Sequence, residues 1–201
     1  LYAGIGGSGV YKSTNGGVSF TAMNTGLTNP SVQALAINPQ TPDTLYAGTN
    51  GGVFKSTSAG TSWTAINNGL GSAGVWALAI HPQTPDIIYA GTTGGLFKSS
   101  NGGTSWTAMN TDLSDPAVQA LAIDPQTPST LYVGTHVGVF KSTNAGTDWV
   151  AMNTGLTNLN IISLAIHPQT PEIIYAGTYG GGAFKIQHGT ETVSTPSTPT
   201  G

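Results

Sequence analysis

The stretch VQALAIDPQTPSTLYVGTHVGVFKSTNAGTDW at residues 118–149 breaks into four short apolar or alternating runs divided by turn residues. Val118–Ile123 reads as a first strand, and Pro125 and Pro128 in the loop that follows lack the N–H a ladder needs, so pairing ends there. Leu131–Thr135 is a second strand. A tight connection through His136, Val137 and Gly138 leads to a third at Val139–Ser142, and the turn TNAGT leads to a fourth beginning at Trp149. No stretch carries helical spacing. The same pattern recurs through nearly the whole chain. LYAGI at Leu1 returns as LYAGT at Leu45, IYAGT at Ile88, LYVGT at Leu131 and IYAGT at Ile174, and residues 45–87 match residues 88–130 at 26 of 43 positions. The chain therefore holds four full periods and part of a fifth.

A lone four-stranded sheet that is apolar on both faces cannot bury itself, so each must stack on its neighbours. The first strands read Ala34-Leu35-Ala36-Ile37, Ala77-Leu78-Ala79-Ile80, Ala120-Leu121-Ala122-Ile123 and Ser163-Leu164-Ala165-Ile166, alternating small with branched residues. Small residues relieve crowding where strands converge on an axis. The expected fold is all-β, a β-propeller of four-stranded antiparallel blades with five blades, the alternative being a segment of a six- to eight-bladed ring. The repeats span residues 1–189, opening at the second strand of blade 1 and stopping after the third strand of blade 5 near Gln187. Residues 190–201 (TETVSTPSTPTG) have the composition of a solvated linker, although Thr190–Ser194 could instead form the outer strand of blade 5. Because the sequence opens inside a repeat, it reads as part of a longer natural chain.

Composition excludes several functions. Only 6% of residues are charged, the net charge is -3 and there is no arginine, so no basic patch is available for a phosphate backbone. No apolar run approaches the roughly 18 residues needed to cross a membrane as a helix. Solubility rests on Gly, Thr, Ser, Asn and Gln, a surface common outside the cell, and an extracellular or cell-surface location is expected. The absence of cysteine removes any disulfide framework without naming a compartment.

The turns before the fourth strands read STNGGVSF from Ser13, STSAGTSW from Ser56, SSNGGTSW from Ser99 and STNAGTDW from Ser142. They resemble the Asp-box, or bacterial neuraminidase repeat, whose pattern is Ser-x-Asp-x-Gly-x-Thr-Trp. That family includes sialidases, sortilin-type receptors, xyloglucanase-type hydrolases and photosystem II assembly factors. The resemblance covers roughly residues 1–188. Asn15, Ser58, Asn101 and Asn144 stand where the motif has its Asp. In the family this residue bonds nearby backbone amides, which Asn or Ser can also do, whereas four sites without a carboxylate are poor for calcium. The closing aromatics Phe20, Trp63, Trp106 and Trp149 are expected between blades.

Sialidase chemistry, as the resemblance implies it, needs an arginine cluster that this chain lacks. Paired carboxylates for glycoside hydrolysis find one candidate, Asp112 with Asp115 in the link between blades 3 and 4; the competing reading is a structural Asx turn. Asp43, Asp86 and Glu172 share one position after the PQTP loop and read as turn residues, while His81 and His167 share theirs with Asn38 and Asp124. His136 is alone in its turn and His188 adjoins the tail. No catalytic residue, metal site or cofactor is assigned. The five lysines, Lys12, Lys55, Lys98, Lys141 and Lys185, follow Phe or Tyr once per blade and are expected to lay their stems over neighbouring strands.

Binding is read from where the repeats disagree. The links between blades and the turns between second and third strands share one face, and the PQTP loops and box turns share the other. The first face varies, contributing Asn50, Thr93, His136 and Tyr179 at one repeat position and Trp76 where other repeats have Gln33, Gln119 and Ile162. Trp76 either stacks on a ligand or plugs the channel mouth. The expected role is a non-enzymatic binding or assembly module for protein or glycan at that face. The alternatives are a carbohydrate-active propeller similar to the xyloglucanase-type hydrolases, or a subunit that self-associates through open terminal strands.

Overall fold

The computed structural model describes residues 1–71, 74–110 and 112–187. Among these the chain is all-β, with five antiparallel sheets that follow one another in sequence. The first sheet holds β1 (Tyr2–Ile5), β2 (Gly9–Lys12) and β3 (Thr21–Ala22). The second holds β4 (Val32–Ile37), β5 (Leu45–Thr49), β6 (Gly52–Ser56) and β7 (Thr64–Ala65). The third has β8 (Val75–Ile80), β9 (Ile88–Thr92), β10 (Gly95–Ser99) and β11 (Thr107–Ala108), and the fourth β12 (Ala120–Ile123), β13 (Leu131–Thr135), β14 (Gly138–Ser142) and β15 (Val150–Ala151). The fifth has β16 (Ile161–Ile166), β17 (Ile173–Thr178) and β18 (Gly182–Gln187). Each sheet is a meander whose strands pair in chain order. The first strands β4, β8, β12 and β16 pack side by side, as blades around an axis do.

The core lies between sheets, not within them. Among the described residues four apolar clusters form, one at each junction of successive sheets. Val10 and Leu27 meet Leu45, Phe54 and Trp63 at the first. Tyr46, Val53 and Leu70 meet Ile88 and Trp106 at the second. Tyr89 and Leu96 meet Leu131, Phe140 and Trp149 at the third, and Tyr132 and Val139 meet Ile161, Ile174 and Ile186 at the fourth. Among the described residues no apolar cluster joins the first sheet to the fifth. Tyr175 of the fifth sheet is 42% exposed, whereas its equivalents Tyr46, Tyr89 and Tyr132 are buried.

The box turns fasten one sheet to the next. Ser99 Oγ donates to Asn101 Oδ1 at 2.9 Å and accepts from the Gly103 amide at 2.9 Å, while Asn101 Oδ1 accepts the Ser105 amide at 2.9 Å. Asn15 and Asn144 repeat this geometry, and Ser58 manages it with its hydroxyl, accepting the Ser62 amide at 3.1 Å. The turn so held aims its tryptophan backwards. Trp63, Trp106 and Trp149 donate Nε1–H to the carbonyls of Met23, Ile66 and Met109 on the preceding sheet, at 2.8, 2.7 and 3.2 Å. Phe20 differs from its expected place: no sheet precedes it among the described residues, and it is 45% exposed.

A reciprocal contact runs forwards. The Tyr2, Tyr46 and Tyr89 hydroxyls donate to the carbonyls of Ala59, Gly102 and Ala145 in the next box turn, at 3.1, 3.4 and 3.3 Å. The lysine paired with each tyrosine lies over its ring, with Nζ to centroid distances of 5.4 Å for Lys12 and Lys55 and 5.5 Å for Lys98. Lys55 Nζ also donates to the Gly102 carbonyl at 3.0 Å. The lysine stems thus serve the sheet junctions. Burial raises the hydroxyl pKa of Tyr46, Tyr89 and Tyr132 from 10.0 to about 12, with Asp86 adding to the effect at Tyr46.

Candidate functional site

On the face formed by links and second-to-third turns, one amide of each turn bonds the link beside it. The Asn50, Thr93 and Tyr179 amides donate to the carbonyls of Ser31, Gly74 and Asn160 at 3.2, 3.1 and 2.9 Å, and the His136 amide donates to Asp115 Oδ2 at 3.0 Å. All four side chains are exposed, Tyr179 the most at 72%. Asn50 Nδ2 also donates to Ser31 Oγ at 3.0 Å and His136 Nδ1 faces Asp115 Oδ2 at 3.1 Å, so the rim is held in place and differs from sheet to sheet.

Trp76 sits on the axial side of the same face, and its aim has a local cause. In β8 the ladder to β9 steps from Val75 opposite Thr92 to Ala77 opposite Gly91, which leaves Trp76 as the extra residue of a β-bulge. Gln33 in β4 and Ile162 in β16 occupy equivalent bulges. A bulge swings its extra residue out of the alternation of the strand. Trp76 is half-buried, as are Ala77–Ile80 of its strand, whereas Gln33 and Ile162 at the equivalent bulges are exposed. Gln119, at the same repeat position, donates Nε2–H to Asn160 Oδ1 at 2.9 Å and so ties the fourth link to the fifth.

The link before Trp76 lacks a side chain at one decisive place. Gly74 lies where the other links have Ser31, Ala117 and Asn160. A Cβ there would stand 3.7 Å from both Asn50 Oδ1 and Thr93 Cγ2, so the glycine leaves a notch between two rim residues, two positions from the indole. The structure thus brings Asn50 and Thr93 together across Gly74, and Trp76 follows two residues further along the chain. His136 and Tyr179 lie on successive turns further round the rim. Gly74 escaped the sequence reading, although its departure from the repeat was visible.

Asp115 is committed to structure. Its Oδ1 accepts the Ala117 amide at 3.0 Å, an Asx turn, and its Oδ2 accepts from the His136 backbone and faces His136 Nδ1 at 3.1 Å. Asn29 and Asn158 make the same turn in their links. Asp112 stands where other repeats have Gly26, Gly69 and Gly155, and it adopts φ 63°. His81 and His167 cap PQTP turns, their Nδ1 atoms accepting the Thr84 and Thr170 amides at 3.1 Å, as Asn38 and Asp124 do by Oδ1. His188 and Thr190–Ser194 lie outside the described residues.

No protein-family model and no curated protein matches the chain. Solved structures do. An ancestral GH74 enzyme is 27% identical over 87% of this chain, with a TM-score of 0.70. The GH74 enzyme of Niastella koreensis is 23% identical over 92%, with a TM-score of 0.71. The extracellular domain of a one-component system of B. thetaiotaomicron is 19% identical over 91%, with a TM-score of 0.73. This chain has the β-propeller fold. It covers 25%, 33% and 25% of those three structures, so the likeness describes a run of blades.

Proposed function

We propose that the chain is a non-enzymatic extracellular recognition module that binds glycan at the variable face, with Trp76 as the stacking platform and Asn50 and Thr93 as flanking polar groups. The observation that carries this reading is the notch at Gly74 beside a bulge-borne, half-buried indole. A sugar ring presents an apolar face that stacks on an aromatic and hydroxyls that need amide and hydroxyl partners at its edge. His136 and Tyr179 extend the rim for a longer glycan or a glycan-bearing protein. The likeness to an ancestral GH74 enzyme supports the glycan, and the surface rich in neutral polar residues supports the extracellular location. The box turns are proposed as Asp-box turns with Asn or Ser in the Asp place, on the strength of their Ser–Asn–amide bonding. Residues 190–201 are proposed as a linker.

The test is calorimetric titration with a panel of β-glucan oligosaccharides. Binding should weaken at least about tenfold in Trp76→Ala and in Gly74→Ser, which refills the notch, with unchanged circular dichroism. Binding indifferent to both changes would reject the site. A carbohydrate-active reading is favoured by the 27% identity to an ancestral GH74 enzyme; release of reducing ends from a β-glucan would support it over a binding module.

A further inference from the structure

The junction lysines differ in what they meet, and Lys98 meets least. Lys12 and Lys55 donate Nζ–H to the carbonyls of Ala59 and Gly102 in the next box turn, at 3.5 and 3.0 Å. Lys55 also has a carboxylate nearby: Asp86 Oδ1 and Lys55 Nζ stand 3.2 and 3.3 Å from the point where a Cβ on Gly102 would lie. Both conditions change at the junction of the third and fourth sheets. Ala145 carries a methyl group in the place of Gly102, and Ser129 stands where the other repeats have Asp43, Asp86 and Glu172. Lys98 Nζ lies 5.5 Å from the centroid of the Tyr89 ring and makes no hydrogen bond among the described residues.

The register of the third sheet gathers further donors beside that ammonium. Lys98 in β10 pairs with Tyr89 on one side and with Thr107 of β11 on the other, so the three side chains stand in a row on one face. Lys98 and Thr107 line a cleft of about 310 Å³ together with Ser100, Asn101, Ser105 and Met109. The Ser100 and Thr107 hydroxyls have no partner among the described residues. Ser105 Oγ accepts from Asn101 Nδ2 at 2.9 Å, which leaves its own proton to donate. None of the lining residues is an acid. The neighbouring sheets lack this set. In the fourth, Asp148 and Val150 take the places of Ser105 and Thr107, and in the second the lysine is already bonded to Gly102 beside Asp86.

We infer that the cleft at Lys98 is an oxyanion-binding site that takes the carboxylate or sulfate ester of an acidic sugar. The ammonium supplies the charge, and the Ser100, Ser105 and Thr107 hydroxyls donate to the oxygens of the anion and of the adjoining ring. An amine without a competing acceptor has all three of its protons to give, which the lysine of the second sheet does not. A volume near 310 Å³ suits one sugar residue, for which Met109 offers an apolar wall. A single lysine offers no track for a nucleic-acid backbone. The site lies beside the box turn of the third sheet and does not rest on the glycan reading of the rim.

Residue-resolved NMR titration of the full protein with glucuronate, glucose sulfate and glucose tests the site. Saturable shifts of the Ser100, Ser105 and Thr107 amides are expected with the anions and not with glucose, and the tighter anion tells carboxylate from sulfate ester. Lys98→Met keeps most of the stem and should weaken the anion at least about tenfold. Ser129→Asp is the second variant. It puts back an acid that three other repeats carry at that place, so the fold is retained and binding should fall by a similar factor. Shifts that are absent, that glucose reproduces, or that keep their affinity in either folded variant overturn the site.

Discussion

Replacing Trp106 by alanine removes a side chain that is 5% exposed and belongs to the cluster joining the second and third sheets. Excising a buried Trp or Phe costs about 3–5 kcal/mol, and the upper half of that range is expected here because the site cannot collapse. Its walls are two sheets held apart by their own ladders, and the Trp106 amide is itself bonded to the Asn68 carbonyl at 2.9 Å. The lost Nε1–H bond strands the Ile66 carbonyl, a contribution of about 1 kcal/mol that Trp106→Phe loses together with part of the ring packing. Phe20→Ala is the internal control. The same repeat position, 45% exposed without a preceding sheet, should lose only about 1 kcal/mol, since roughly half of the apolar burial is missing. Urea unfolding at 25 °C followed by far-UV circular dichroism measures all three, with equal slopes required for the comparison. A loss below about 1 kcal/mol for Trp106→Ala, or one equal to that of Phe20→Ala, would refute the claim that stability resides in the sheet junctions.

Three further changes probe the local devices. Ala59 and Ala145 adopt φ of 52° and 58° where the other box turns have Gly16 and Gly102, so Ala59→Gly and Ala145→Gly should each stabilise by about 0.5–1 kcal/mol in the same assay, the left-handed strain outweighing the entropy of glycine. Asn67 Oδ1 accepts the Val53 amide at 2.8 Å and its Nδ2 donates to the Gly51 carbonyl at 3.2 Å, clamping the β5–β6 turn. Asn67→Ala leaves the Val53 amide unpaired beside a buried side chain and should destabilise by about 1–3 kcal/mol, with faster amide exchange at Val53 as the local readout. The tyrosine hydroxyls at about 12 in the folded chain give a pH prediction with a definite sign. Above pH 10 the unfolded chain sheds phenolic protons that the folded chain keeps, so the unfolded state binds fewer protons and stability falls as pH rises from 10 to 12. Tyrosinate absorbance rising in step with unfolding checks this; full ionisation near pH 10 in a folded protein would contradict it.

How much of this was legible in the sequence depends on whether a residue answers to its own repeat or to the next one. Strand positions were legible, because alternation and proline placement act within one repeat: Leu131–Thr135 is a strand as read, while the fourth strand begins at Val150 instead of Trp149 and spans two residues. The junction partners were not. That Tyr46 bonds Gly102, or that Trp106 reaches Ile66, relates residues 56 and 40 positions apart, and periodicity says only that some partner recurs. The Asx turn of Asp115 and the lysine stems were anticipated from side-chain chemistry alone, but the lysine amines, expected in water, lie over tyrosine rings and that of Lys55 bonds the Gly102 carbonyl. Trp76 was singled out as an anomaly, but its aim depends on a bulge, which needs the ladder to be seen.

Within a repeat array, equivalent positions face equivalent packing, so a departure has meaning only against what packing demands at that position. Gly69 shows one case: a Cβ there would lie 2.3 Å from the Trp106 carbonyl, so the place requires glycine. Asp112, standing in that place before the fourth sheet, is a strained departure. Asp112→Gly should stabilise, and nothing about its position at the turn points to a ligand. Gly74 and Trp76 depart in the opposite sense. Ser31, Ala117 and Asn160 show that a side chain is tolerated at the first, and Gln33, Gln119 and Ile162 that no aromatic is needed at the second. Packing asks for neither, and together they leave a notch two residues before an indole. That pairing of two unforced departures at neighbouring positions is the ground on which recognition is proposed there, whereas Asp115, Asp124, His81 and His167 each cap a turn.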